Sequence, residues 1–238
     1  MADPAPDRAG RLRAALARAR LRASSSDYDL NPDLVLPADR VLRPAAVLVA
    51  VLPDDAGGRL LLTKRSSALR HHPGQIALPG GKLDAGDADP AAAALREARE
   101  EVGLDPARVE LVGELPAHET VTGFHVTPVI GLVRDRFVPV PEAGEVEEVF
   151  EVPLAHVLEA RNYSIQQRLW RGIWRRYYTV PFGPYYIWGA TARILRALAD
   201  ALADEQPDAP LDVQPDVQPD VQPDALADAP PADRAARR

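Results

Sequence analysis

Residues 80–104 read Gly80-Gly81-Lys82-Leu83-Asp84-Ala85-Gly86-Asp87-Ala88-Asp89-Pro90-Ala91-Ala92-Ala93-Ala94-Leu95-Arg96-Glu97-Ala98-Arg99-Glu100-Glu101-Val102-Gly103-Leu104. The second half of this stretch carries the local signals of a short helix. Asp89 suits the N-cap, and Pro90 the first helical position, where no backbone donor is needed. Four alanines follow with the highest helix propensity, and Gly103 offers a left-handed stop. At about 100° per residue, Glu97, Glu100 and Glu101 share one face, while Ala91, Leu95, Ala98 and Val102 share another. One side is built for a core and the other carries three carboxylates.

Like charges three or four positions apart destabilise a helix by roughly 0.2–0.5 kcal/mol per pair. Arg96 and Arg99 relieve part of that, Arg96 standing four residues before Glu100. An isolated E-x-x-E-E reads most simply as a solvated surface face. The glycine loop just upstream changes the reading. Hard cations such as Mg²⁺ and Mn²⁺ take oxygen ligands from carboxylates, backbone carbonyls and substrate phosphates. A close-approaching Gly80-Gly81 backbone beside three carboxylates supplies that set.

Gly81, Arg96, Glu97, Glu100, Glu101, Gly103 and Leu104 together resemble the Nudix box. Two departures stand out: Asp87 occupies the place of the first glutamate, and one extra residue separates it from Arg96. That form is similar to the coenzyme A pyrophosphatase branch of the Nudix hydrolases. A second signature of the branch lies immediately upstream, in the run from Leu61-Leu62-Thr63-Lys64-Arg65-Ser66 through Arg70-His71-His72-Pro73-Gly74-Gln75-Ile76-Ala77-Leu78-Pro79-Gly80-Gly81. Leu78 stands where an aromatic is usual. Weaker similarity continues through Gly123-Phe124, Val126 to Val129, Glu145-Val146 and Val149 to Leu154, and ends at Ile187 to Ala192.

The residues of that run agree with a phosphate-rich ligand. Lys64, Arg65, Arg70, His71 and His72 crowd into nine positions, with Lys82 beyond the glycines. Arginine suits bidentate phosphate contacts. Arg65 and Arg70, joined by Lys82, are the expected substrate-binding cations. Lys64 reads as a solvent-facing residue at a strand end, and His71 and His72 equally as buried loop residues.

Composition sets the bounds. The chain has 238 residues and 46% apolar content, enough for one substantial domain. It has no cysteine, which excludes disulfides, thiolate metal sites and a cysteine nucleophile. No apolar run reaches membrane-spanning length and no signal-peptide core is visible, so a soluble cytoplasmic protein with no membrane partner is expected. The formal charge is −7, but from Ala201 onward nine acids stand against three arginines, leaving the first 200 residues close to neutral. A broad basic face for nucleic acid is therefore not expected.

Residues 8–23, rich in alanine, leucine and arginine, form an expected helix that packs on the domain or on a second subunit, and a homodimer stands as an expectation. Strands are expected at Ala45–Leu52 and Arg59–Lys64 around a hairpin turn, then at Val109–Gly113, His125–Val133 and Val146–Val152. A short helix over Leu154–Ala160, a hairpin over Arg168–Val180 and a final helix over Tyr186–Ala201 complete the order. The aromatic and basic residues of Trp170–Tyr178 read as hairpin packing before base stacking. This is an α+β domain with helices on a mixed sheet, which the resemblance makes the Nudix-type α/β/α sandwich with a mixed β-sheet. The boundaries are an N-terminal helical or extended segment at 1–40, the Nudix hydrolase domain at 41–203, and an acidic, Pro-rich, disordered tail at 204–238.

The resemblance implies a site. Glu97, Glu100 and Glu101 hold Mg²⁺ or Mn²⁺, the Gly81 carbonyl completes a coordination sphere, and Arg96 orients the glutamates. Glu145 is the candidate general base, with Glu119 and Glu148 as alternatives. Cations bridging a pyrophosphate stabilise the charge that develops in its hydrolysis. The implied substrate is CoA or an acyl-CoA, cut to 3′,5′-ADP and the (acyl-)4′-phosphopantetheine. ADP-ribose or NADH as substrate, and a non-catalytic nucleotide sensor, are the alternative readings.

The tail repeats Val-Gln-Pro-Asp three times between Val213 and Asp224. Proline at every fourth position forbids helix and sheet, and the composition cannot bury a core. Truncation after Asp204 is expected to leave turnover and the melting temperature unchanged. A fall of several degrees would show that the tail docks on the domain.

Overall fold

A computed structural model describes residues 8–34, 40–170 and 172–203. The repeat-bearing tail lies outside the described residues. In chain order the elements are α1 (Arg8–Ala19), β1 (Ser25–Ser26), β2 (Arg43–Leu52), β3 (Arg59–Arg65), β4 (Ile76–Ala77), β5 (Gly80–Lys82), α2 (Pro90–Val102), β6 (Val109–Glu114), β7 (His118–Glu119), β8 (Phe124–Val133), β9 (Val146–Pro153), α3 (Leu154–Leu158), β10 (Ser164–Trp170), β11 (Ile173–Thr179) and α4 (Gly189–Ala203). Short 3₁₀ turns stand at Pro106–Arg108 and Ala160–Asn162.

The sheet is mixed and centred on β2. β8 runs parallel along one side of it, from Arg43 beside Phe124 to Val51 beside Leu132. The other side is shared by two antiparallel strands. β3 pairs only at Val51 and Leu52, and β5 takes over at Ala45, Ala46 and Val47. β9 and β4 extend the sheet from β3, while β6 and β7 lie beyond β8. Because side chains alternate along a strand, β2 feeds two cores. Val49 and Val51 join Leu12 and Leu16 of α1 and Leu195 and Leu198 of α4 on one face. Ala46, Leu48, Ala50 and Leu52 join Ala93, Ala94, Ala98 and Val102 of α2 on the other. The result is the expected α/β/α arrangement.

Element ends moved where tertiary contacts set them. The first helix closes at Ala19 through i+3 bonds from Leu21 to Arg18 and from Arg22 to Ala19, short of the expected Ala23. The last helix starts at Gly189, because residues 179–188 first continue the strand geometry: the Val180 N–H donates to the Ile187 carbonyl, and Thr179 bridges Trp188. The expected hairpin begins earlier, at Ser164. The short β1–β7 pairing escaped the sequence reading. It is held by His118, fully buried, which donates from Nε2 to Asp27 Oδ1 at 3.1 Å and shares a hydrogen bond between Nδ1 and Ser25 Oγ at 3.0 Å. No helix among the described residues is long and apolar enough to cross a membrane.

The splay between β2 and β3 is what admits the glycine loop. The Leu48 N–H donates to the Pro79 carbonyl at 2.8 Å, and Gly80 then pairs with Val47. Gly80 has φ +156, and a Cβ there would sit 2.3 Å from the Ala46 carbonyl oxygen and 2.6 Å from the Val47 Cα. Both obstacles are backbone, so no rotamer change relieves them. Gly80→Ala should destabilise the protein by about 1–3 kcal/mol, the usual range for forced overpacking. An unchanged melting temperature would mean that β5 can leave β2 without loss.

Candidate active site

The helix behaves as its caps dictate. Asp89 accepts the Ala92 N–H at 2.8 Å, and Gly103, at φ 71, closes the C-terminus with Gly103 and Leu104 N–H groups bonded to the Arg99 and Ala98 carbonyls. Its buried face is centred on Ala93, Ala94, Ala98 and Val102, with Ala91 and Leu95 at the margin. The three carboxylates share one side of the helix but are graded in burial. The Glu100 side chain is 58% exposed, Glu97 17%, and the whole Glu101 residue 4%.

Arg96 is the hub of the acid cluster. Its Nε and Nη2 grip Asp87 at 3.1 and 3.0 Å, Nη1 bridges Glu97 at 3.1 Å and Glu100 at 3.0 Å, and Nη2 also donates to the Lys82 carbonyl at 3.1 Å. These contacts engage all five guanidinium donors. Asp87 thus holds Arg96 with both oxygens, and that ion pair keeps its carboxyl below the usual range. The residue that departs from the family pattern is the one that orients the arginine.

Glu101 sits behind this cluster. It accepts the Gly80 N–H at Oε2, 3.2 Å away. Burial pushes its carboxyl up to about 7, with the charges of Glu97 and Glu145 adding, while the Gly80 N–H and the Arg65 charge oppose the shift. Burial likewise raises Glu97, against the pull of Arg96. Gly81 lies directly over Glu97: a Cβ there would fall 2.3 Å from Glu97 Oε1, so a larger residue would force the Glu97 carboxylate to shift.

Glu145 lies exposed just ahead of β9, yet its charge is felt by both Glu97 and Glu101. The two alternative bases are engaged elsewhere. Glu119 pairs with Arg40 at 2.8 Å, and Glu148 accepts the Tyr185 hydroxyl at 2.5 Å. Arg65 ends β3 with its charge acting on Glu101, and its Nε is buried with no hydrogen-bond partner among the described residues. Lys64 pairs with Glu147 at 2.7 Å. Lys82 is exposed and lends its carbonyl to Arg96. Arg70 does not join the acid cluster's hydrogen bonds; it lines a separate cavity against the β10–β11 hairpin. Sequence reasoning passed over that cavity, although strand alternation within the hairpin carried the signal.

The donor set suits a hard divalent cation: carboxylates of graded burial, a backbone carbonyl at Gly81, and a glycine cradle that a Cβ would fill. Among the described residues, no three acidic or histidine side chains already converge on one point. Arg96 Nη1 lies between Glu97 and Glu100, and the Gly80 N–H holds Glu101, so loading requires these side chains to turn.

A family model described as NUDIX domain matches residues 42–171. Relatives named uncharacterized Nudix hydrolase NudL include one from Enterobacter sp. (strain 638), 42% identical over 183 residues that cover 72% of this chain and 95% of the relative. Another, from Salmonella newport, is 46% identical over 157 residues, covering 66% and 81%. The chain belongs to the Nudix hydrolase family, whose members generally require a divalent metal ion. Solved structures that overlap it include the Nudix hydrolase RenU from M. smegmatis (TM-score 0.42, 24% identity, 51% of this chain and 83% of that one) and a MutT protein from Methanosarcina mazei (TM-score 0.46, 19% identity, 72% and 100%). Overlaps of that size add nothing to the family match.

The raised Glu101 carboxyl has a consequence for stability. The folded state holds this proton more tightly than the unfolded chain, so between the ordinary carboxylate value of 4.5 and about 7 the metal-free protein loses stability as pH rises. Above that window the full cost of a buried charge is present. Metal-free Glu101→Gln should therefore melt at or above the wild type at pH 8, with the gap closing towards pH 5. A variant that melts well below the wild type at pH 8 would show that the charge is already compensated by the protein.

Proposed function

We propose that this Nudix hydrolase is a CoA pyrophosphatase: it cleaves coenzyme A or an acyl-CoA to 3′,5′-ADP and (acyl-)4′-phosphopantetheine, with Mg²⁺ or Mn²⁺. The observation that carries the reading is the run from Leu61 to Gly81, whose similarity is to the CoA branch and which leads from β3 into the glycine cradle. Its two ends meet the acid cluster, Arg65 through its charge on Glu101 and Gly81 through its contact with Glu97.

In this reading Glu97, Glu100 and Glu101, with the Gly81 carbonyl, hold the cation. The cation supplies charge neutralisation for the pyrophosphate and acidifies a coordinated water. Arg96 fixes the glutamates through its anchored guanidinium. Arg65, whose Nε has no hydrogen-bond partner among the described residues, donates to the pyrophosphate oxygens. Glu145 takes the proton of the attacking water as the water oxygen bonds to one phosphorus and the bridging P–O bond breaks. Its exposure lets it reach solvent, while its charge already acts on the cluster. Lys82, exposed on β5, adds positive charge at the rim.

Purified protein with Mg²⁺ or Mn²⁺ should convert CoA and short acyl-CoAs to 3′,5′-ADP and the matching phosphopantetheine, read by mass. Glu101→Gln should lower kcat by roughly a hundredfold or more, as expected when a group stabilising charge in the transition state is removed. Intact CoA alongside brisk cleavage of ADP-ribose or NADH would overturn the substrate. Loss of all turnover across the panel, with retained nucleotide binding, would favour a sensor.

A further inference from the structure

Beside the acid cluster, a cavity of 390 Å³ opens between the turn at residues 70–75 and the β10–β11 hairpin. We propose that it is the subsite for the adenosine end of the substrate, taking a purine nucleoside that bears a phosphomonoester. The inference rests on the CoA reading for its substrate, and on the hairpin and the residues that face it for its chemistry.

The hairpin register sets the wall. Arg168 stands directly opposite Arg175 and Gln166 opposite Tyr177, so strand alternation brings Arg168, Trp170, Arg175 and Tyr177 to one face, and all four line the cavity. Like charges directly opposite each other destabilise an antiparallel pair. Among the described residues, neither arginine has a carboxylate partner to relieve it. Arg175 lies 4.3 Å from the Trp170 ring centroid, and Arg168 lies 5.1 Å from that of Trp188. The Arg175 Nε is buried with no hydrogen-bond partner among the described residues. Arg70 adds a further positive charge from the facing turn. The acid on the wall, Asp27, is already engaged by the His118 imidazole and the Val121 N–H. An anion with several acceptor oxygens would satisfy these donors, and a phosphomonoester is the compact biological form of one.

The second half of the recognition is aromatic. Trp170, Tyr177 and Trp188 line the cavity, with Arg175 and Arg168 layered on the two tryptophans and Tyr177 edge-on to Trp188 at 5.1 Å. A flat base would extend these arginine–aromatic stacks, and stacking of this kind is indifferent to the base's polar edge. The volume lies within the ordinary range for small-molecule pockets, roughly 300–1,000 Å³. Its placement fits the reaction. His72 lines the cavity, and its ring is held below the usual imidazole range by burial and by the charges of Arg65 and Arg168. The turn that lines the cavity is tied to Arg65, whose N–H donates to the Gln75 carbonyl at 2.9 Å and whose carbonyl accepts the Gly74 N–H at 3.1 Å. The N–H of the next residue, Ser66, donates to the Glu145 carbonyl at 2.8 Å, so Arg65 links the cavity to the acid cluster. A nucleotide anchored by its 3′-phosphate among the hairpin arginines would extend its 5′-pyrophosphate towards Arg65 and the glycine cradle. Arg65 and Arg70, in one sequence motif, thereby serve opposite ends of the nucleotide.

The test is calorimetry on the full chain without metal, with 3′,5′-ADP, 5′-AMP and adenosine as probes. The 3′,5′-ADP should bind at least tenfold tighter than 5′-AMP, and Arg168→Gln with Arg175→Gln should abolish that preference, along with the preference for CoA over dephospho-CoA in turnover. An unchanged preference in a folded double variant overturns the subsite. Should the variant not fold, the unmutated protein decides: 3′,5′-ADP must change tryptophan emission saturably at concentrations where adenosine does not, and no change overturns the proposal. Binding of 3′,5′-ADP through these arginines in a protein that leaves CoA intact would keep the subsite and defeat the CoA reading. CoA hydrolysis with an unchanged preference would do the reverse.

Discussion

Five donors of one guanidinium hold apart carboxylates that would otherwise repel each other across a single turn of helix. Arg96 contacts Asp87, Glu97, Glu100 and the Lys82 carbonyl at 3.0–3.1 Å. An exposed ion pair is worth about 0–1 kcal/mol, so no one of these contacts is large. Their importance lies in what their absence leaves: several acids within reach of one another, one of them almost wholly buried. The arginine ties the acid helix to the loop before it, and so fixes where Gly80 and Gly81 meet the glutamates.

Everything else in the fold serves that meeting. β2 supplies one core to α2 and the opposite core to α1 and α4, so it is packed on both faces. β3 parts from it after two residues, and β5 fills the gap with Gly80, too close to the β2 backbone for any Cβ, and Gly81, against the Glu97 carboxylate. The site is therefore built on rigid elements, as a cluster of like charges demands. Part of the protein's stability is given up there, since Glu101 is buried and, among the described residues, only the Gly80 N–H and the Arg65 charge oppose the desolvation.

What could be read in the sequence was what is local. Asp89, Pro90, the alanine run and Gly103 specify α2 by themselves, and the structure returns it as Pro90–Val102 with both caps. Strand positions followed from apolar runs between turn residues, because a sheet buried on both faces needs them. The parts that escaped depend on register between distant segments. A three-residue strand of Gly-Gly-Lys has no hydrophobic pattern, and β1 is two serines whose pairing rests on His118, 93 residues from Ser25. The acid face was legible as a periodicity, but its grading from exposed Glu100 to buried Glu101 was not, since burial is decided by what packs above the helix. Arg65 and Arg70 looked like one phosphate-binding pair. The intervening turn, closed by the Gly74 N–H on the Arg65 carbonyl, sends them to different neighbours.

The central claim is that the carboxylates of α2 and the Gly81 carbonyl form a divalent-cation site. Diffraction from Mn²⁺-soaked crystals at the manganese absorption edge tests it directly. The account predicts anomalous density between Gly81 and the side chains of Glu97, Glu100 and Glu101, with the Arg96 guanidinium still on Asp87. Density elsewhere on the protein, with none at the α2 acid face, would contradict it.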